Sequence, residues 1–178
     1  LGRFIAGSVV CVTGAGGSIG LELCKQLINI KPSKIIMIEN SEPNLYNLTE
    51  FLKTKVNKSI IFSPILGSTT NKNLIDKIFS ENNIDFVFHS AAYKHVPLVE
   101  QNPISGIYNN VISTRVICNS AQKYKVKKVM LISTDKAVRP KSIMGASKRL
   151  AELIVQSYES TETCFSLVRF GNVLGSSG

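Results

Sequence analysis

The stretch STDKAVRPKSIMGASKR, residues 133–149, gathers side chains suited to moving protons. Thr134, Asp135 and Lys136 place a hydroxyl, a carboxyl and an amine in succession, and Lys148 adds a second amine further on. Positioned in one site, such groups form a general acid–base relay. On a helix, residue 144 shares a face with residue 148. The residue there is Met144, a thioether with no proton to give or take. The layout is that of an acid–base active site whose helical partner to the lysine cannot titrate. Two readings follow: a working enzyme with its base elsewhere, or a nucleotide-binding domain without chemistry.

A second constellation lies near the start, in TGAGGSIG, residues 13–20. Gly14 allows a tight turn, Gly17 lets the backbone approach a pyrophosphate, and Gly20 lets a helix pack on the preceding strand. Ser18 and Ile19 fall in the first turn of that helix, whose free N–H groups and positive dipole end would face phosphate. Glu39 follows Gly20 at the distance expected of a ribose-binding acid. A carboxylate there accepts a 2′-hydroxyl and repels a 2′-phosphate, which favours NAD over NADP. A glycine-rich turn with a solvated strand-end glutamate is the competing reading.

These residues need elements to hold them. Short β-branched runs read as buried parallel strands at 8–13, 34–39, 59–65, 85–90, 127–133 and 164–170. Helical periodicity separates them at 19–30, 43–56, 71–82, 103–124 and 145–159. Regular strand–helix alternation implies an α/β class, a doubly wound parallel sheet covered on both faces. Ligands of such sheets bind beyond the carboxyl ends of the strands, where the candidate residues fall.

The 178 residues suit one domain, residues 1–178. The net charge of +9 favours acidic partners such as nucleotides and phosphorylated sugars. The lysines are scattered and no basic stripe is interleaved with aromatics, which argues against nucleic acid. Cys11, Cys24, Cys118 and Cys164 lack any CxxC spacing or clustered histidine, so buried free thiols in a reducing, cytoplasmic compartment are expected, with no metal. No apolar run reaches the length of a membrane span. The chain opens on Leu1 rather than Met, so a piece of a longer protein is expected.

TGAGGSIG, AAYKHVPLVE, NNV, STDKAVRP, MGASKR and VRFGNVLGSSG together resemble the extended short-chain dehydrogenase/reductase family. Within it they resemble the nucleotide-sugar branch, the bacterial polysaccharide-biosynthesis proteins that dehydrate UDP-N-acetylglucosamine. The resemblance covers essentially the whole chain. It implies a Rossmann sheet of about six strands in the order 3-2-1-4-5-6, lacking the smaller C-terminal substrate lobe. It also implies a redox-neutral cycle with catalytic NAD: hydride removal at sugar C4, loss of water across C5 and C6, and hydride return at C6. Thr134 would lie against the C4 hydroxyl, Asp135 would be the acid for the departing water, and Lys136 the C5 base. Lys148 would hold the nicotinamide ribose. Ala91 and Ala92 would line the cofactor, while Lys94, His95, Asn110 and Asn172 would face the UDP-sugar. Asn109 or Asn110 would orient water or backbone, and Arg169 would stand where the diphosphate begins to be held.

The chemistry sets a condition on these roles. A general acid needs a raised carboxyl pKa and a base lysine a lowered one; a close Asp135–Lys136 ion pair opposes both. Successive side chains on a strand point to opposite faces, so the two are expected not to pair. His89 reads as a packing residue. Met144 departs from the tyrosine of most relatives but matches the long, membrane-associated members, so membrane association would come through sequence outside this chain. Ser68 stands where relatives carry an acid against adenine, and would offer a hydroxyl instead. A homo-oligomer is expected. A UDP-sugar 4-epimerase and a non-catalytic NAD-binding domain are the alternatives.

Overall fold

The computed structural model describes residues 2–55 and 59–173. Val56, expected at the end of a helix, and residues 174–178 of the GNVLGSSG segment lie outside the described residues.

The chain runs α1 (Gly2–Ile5), β1 (Val9–Thr13), α2 (Ser18–Ile30), β2 (Lys34–Glu39), α3 (Glu42–Lys55), β3 (Ile61–Leu66) and α4 (Lys72–Asn82). It continues through β4 (Phe86–His89), α5 (Val96–Gln101), α6 (Pro103–Ile107), a π-helical turn (Tyr108–Ile112), α7 (Ser113–Lys123) and β5 (Lys128–Thr134). A 3-10 turn (Asp135–Ala137), α8 (Ile143–Ser157) and β6 (Cys164–Phe170) complete it. The six strands form one sheet in the order β3-β2-β1-β4-β5-β6, every pair parallel. This is the doubly wound Rossmann fold, with the strand order expected.

Alternation along the strands builds the two layers. Val10, Val12, Ile35 and Met37 turn to one face and pack with Cys24 and Leu27 of α2 and Leu45, Leu48 and Leu52 of α3. Cys11, Ile36 and Ile38 turn to the other, against Ile75, Ile78 and Phe79 of α4 and Ile117 of α7. Leu131 of β5 meets Ala151 and Val155 of α8 in a third cluster. Full burial of one such Leu or Ile stabilises by roughly 1.5–3 kcal/mol, so the apolar strand interiors hold the sheet.

Several expectations need correction. The strand anticipated at 59–65 is β3, an edge strand whose residues are mostly exposed or half-buried; an edge position tolerates Pro64. β6 is the opposite edge, and Cys164 at its start is exposed, unlike the three buried thiols of Cys11, Cys24 and Cys118. The helix anticipated at 103–124 is interrupted by the π-helical turn, and α5 precedes it. The strand anticipated at 85–90 is β4, which ends at His89, and Lys94 and His95 lie in the loop entering α5. No helix of the described residues is long and apolar enough to cross a membrane.

Candidate active site

The glycine turn is built for close approach. Gly14 has φ +61°, and a Cβ there would lie 2.7 Å from Ala91 Cα, so the turn abuts the chain leaving β4. A Cβ on Gly20 would overlap the Gly14 carbonyl, so α2 packs directly on the turn. Gly17 is the N-cap of α2 and carries no side chain to close the helix end. The first-turn amides of a helix have no intrahelical acceptor, and here Ser18, Ile19 and Gly20 line a cavity. Glu39 is buried; its carboxylate accepts from the amides of Gly16 (2.9 Å), Asn40 and Ser41 (both 3.0 Å). It braces the glycine turn, a role that spacing alone did not suggest, and Oε2, which accepts only from Gly16, retains a lone pair for a ribose hydroxyl. Ser68 shares its hydroxyl with that of Thr70 at 2.8 Å.

The cavity has a volume of about 850 Å³ and opens at the carboxyl ends of β1, β4, β5 and β6. It spans the β1–β4 boundary, where the direction of winding reverses and ligands of such sheets bind. It brings the glycine turn together with Thr134, Lys136, Met144, Lys148 and Asn172. Ala92, Lys94 and His95 line it from the β4 loop. Glu39, Ala91, Asn110 and Asp135 stand outside the lining. The glycine cradle, the α2 terminus and the buried strand-end carboxylate fit a dinucleotide. No group of His, Cys, Asp and Glu among the described residues could hold a metal ion.

The Thr134–Lys136 segment departs from expectation. Asp135 and Lys136 do pair, at 3.6 Å, because they begin a 3-10 turn rather than extend the strand and their side chains do not alternate. Thr134 donates to Asp135 Oδ1 at 2.9 Å and accepts weakly from the Lys136 amide. The Thr134 hydroxyl, and then the Lys136 charge, hold the exposed Asp135 carboxyl below its ordinary range, opposite to what a general acid needs. Lys136 Nζ also donates to Asn172 Oδ1 at 3.3 Å, which joins the tips of β5 and β6. Gly145 secures the turn from below. A Cβ there would overlap the Lys136 carbonyl, so the start of α8 lies flush against residues 135–137.

Lys148 is buried, and its Nζ donates to the Ile132 carbonyl at 2.7 Å. Burial lowers its pKa to about 8, against the charge of Glu152, which pulls the other way. Met144 is also buried, on the same face of α8, and walls the cavity with an apolar surface. Arg169 points away from any diphosphate role: its guanidinium grips the fully buried Glu152 carboxylate through two bonds, of 2.8 and 2.7 Å.

Behind the cavity lies a buried polar chain that spacing did not reveal. Thr114 Oγ1 donates its one proton to the Asn110 carbonyl (2.8 Å), so it can only accept from His89 Nε2 at 3.2 Å. His89 therefore carries its proton on Nε2, and its bare Nδ1 accepts from the Thr13 hydroxyl at 2.7 Å. Thr13 Oγ1 in turn accepts from the Ala91 amide. The π-helical turn presents Asn110, which accepts from the Tyr93 amide (2.7 Å) and donates to the Tyr93 carbonyl (3.0 Å) and Ser147 Oγ (2.9 Å). π-turns frequently sit at functional sites. This one fixes the cavity's β4 loop, so Asn110 orients backbone rather than facing a sugar directly.

The sequence matches the model of the family described as "Polysaccharide biosynthesis protein" over residues 10–178. It is 42% identical over 180 residues to the capsular polysaccharide biosynthesis protein CapD of Staphylococcus aureus, covering 100% of this chain and 30% of that protein. It is 32% identical over 177 residues to UDP-N-acetylglucosamine 4,6-dehydratase (inverting) of Campylobacter jejuni strain 81-176, covering 97% of this chain and 51% of that protein. The fold superposes on Pen from Bacillus thuringiensis with a TM-score of 0.88 at 35% identity, covering 98% of this chain and 55% of that one. It superposes on UDP-glucose 4-epimerase from Bifidobacterium longum in complex with NAD+ and UDP with a TM-score of 0.76 at 25% identity, covering 91% and 52%. The chain thus spans about half, or less, of the length of these relatives. With a family match over nearly its whole length and a glycine-turn cavity at the sheet's winding reversal, the chain belongs to the polysaccharide biosynthesis protein family.

Proposed function

We propose that the intact protein is an NAD-dependent 4,6-dehydratase of a UDP-N-acetylhexosamine, UDP-N-acetylglucosamine in the first instance, acting in the cytoplasm in surface-glycan synthesis. The observation that carries this reading is the convergence of Thr134, Lys136 and Lys148 with the glycine turn on one cavity. Identity to a curated dehydratase supports it.

NAD would rest on Gly14, Gly17 and the first turn of α2, with Glu39 at the adenine-side ribose and Lys148 at the other. Bound there, it supplies a reversible hydride acceptor. The remaining work belongs to this chain. Thr134, hydrogen-bonded to Asp135, gives the C4 hydroxyl proton a route to a carboxylate, a route Met144 cannot provide. Lys136 abstracts the C5 proton once its ammonium has been deprotonated. Bound sugar would exclude water from the Asp135–Lys136 pair, and desolvation raises a carboxyl's pKa, as the acid's role requires. Met144 keeps the wall dry, while Lys94, His95 and Asn172 meet the sugar nucleotide.

Incubation of the intact protein with UDP-N-acetylglucosamine, followed by mass and NMR analysis, tests the proposal. A 4-keto-6-deoxy product is expected; UDP-N-acetylgalactosamine, or unchanged sugar, overturns it. One observation favours the 4-epimerase reading: Asp135 is held ionised and lies outside the cavity lining, and an epimerase needs no acid at O6.

A further inference from the structure

Glu152 is an unusual residue to find fully buried, and its carboxylate accepts four hydrogen bonds. Ser133 Oγ (2.7 Å) and Arg169 Nε (2.8 Å) reach Oε1; Arg169 Nη2 (2.7 Å) and Arg149 Nη1 (3.0 Å) reach Oε2. Three of the four bonds come from the sheet. Ser133 and Arg169 are register partners across β5 and β6, so one carboxylate ties both strand tips to α8. Each anchor lines or adjoins the cavity. Ser133 lines it and precedes Thr134, Arg169 leads through Phe170 and Gly171 to Asn172, and Lys148 lies one helical turn before Glu152 on the same face.

We propose that Glu152 is a positioning residue for the reaction centre: its carboxylate locks the tips of β5 and β6 to α8 and so sets Thr134, Lys148 and Asn172 relative to one another. An apolar side chain could fill a buried site with no loss of stability. A carboxylate gripped by a two-pronged guanidinium adds direction. It fixes the rotation of α8 and the height of both strands, which packing of smooth apolar surfaces leaves looser. The inference rests on the dehydratase reading for its catalytic readout.

The test uses the intact protein with Ser133→Ala, Arg169→Lys and Glu152→Gln. Thermal unfolding, fluorescence of bound NADH, and kcat and KM for keto-sugar formation are measured for each. Ser133→Ala removes one bond and leaves the guanidinium grip, so it is expected to fold. Its kcat should fall about tenfold with KM within about twofold, since misplacement well under 1 Å already costs rate. Arg169→Lys keeps the charge, loses the fork, and should lose at least as much kcat. Folded Ser133→Ala and Arg169→Lys proteins that both retain wild-type kcat overturn the proposal, reducing Glu152 to a strut that affects only melting temperature. Should the wild type make no keto-sugar, the dehydratase reading has failed, and NADH fluorescence decides this one separately. Folded Ser133→Ala or Glu152→Gln should then bind NADH about tenfold more weakly through a displaced Lys148, and unchanged affinity overturns the proposal.

Discussion

Lys148 Nζ donates to the Ile132 carbonyl at 2.7 Å, two residues before Thr134 on the same strand. The amine is thus fixed to β5 while its helix carries it beneath the cavity. Its remaining protons are available to a ribose, since an ammonium has three.

The burial of that amine makes a pH prediction. The folded pKa is about 8 against an ordinary 10.5. Between these values the unfolded chain binds more protons, so stability rises with pH across that window. Below pH 8 the buried ammonium costs roughly 3 kcal/mol, at about 1.4 kcal/mol per pKa unit. In Lys148→Met this slope should vanish. The melting-temperature difference between wild type and variant should therefore change between pH 8 and 10, and parallel curves would contradict it. The variant should lose NADH binding throughout.

His89 gives the complementary acid-side prediction. Burial pushes its pKa to about 3, below the ordinary 6.5, with Lys148 adding to the shift. The unfolded chain takes up the proton first, so stability falls as pH drops from about 6.5 towards 3, by about 1.4 kcal/mol per unit. The part of the acid-side slope due to His89 should be absent in His89→Gln. Two-dimensional ¹⁵N NMR of the wild type should show a neutral ring protonated on Nε2 at pH 5; an Nδ1 proton would break the deduced chain through Thr13 and Thr114.

Asp135 is exposed and adds nothing to the core; in the proposed mechanism its carboxyl is the acid for the departing water. Asp135→Asn should leave the melting temperature and NADH affinity close to wild type. Keto-sugar formation should fall at least about a hundredfold, the scale of a lost general acid. Retained turnover would remove Asp135 from the mechanism.

Gly145 packs against the Lys136 carbonyl with no room for a methyl group. Gly145→Ala should push α8 from the 3-10 turn, destabilising by about 1–3 kcal/mol, the cost of overpacking. Since the displaced turn carries Lys136, kcat should fall beyond what Gly14→Ala costs at saturating NAD. Equal kcat values would show that the turn tolerates the shift.

The parallel sheet and the place of the pocket were legible in the sequence because they depend on local pattern, while the strand order came with the family resemblance. Apolar strands alternating with amphipathic helices leave few topologies, and a glycine turn after the first strand marks where a diphosphate fits. Of the residues grouped from the sequence, Thr134, Lys136, Met144 and Lys148 line one cavity, since strand ends and one helix face bring them to the same rim, while Asp135 stands outside the lining. Side-chain partners were decided by tertiary structure. Asp135 and Lys136 pair because the chain turns at Asp135, and Arg169 turns from the pocket because Glu152 lies buried seventeen positions upstream. The partner of a buried charge is set by what packs beside it in space, and spacing along the chain carries no record of that neighbour.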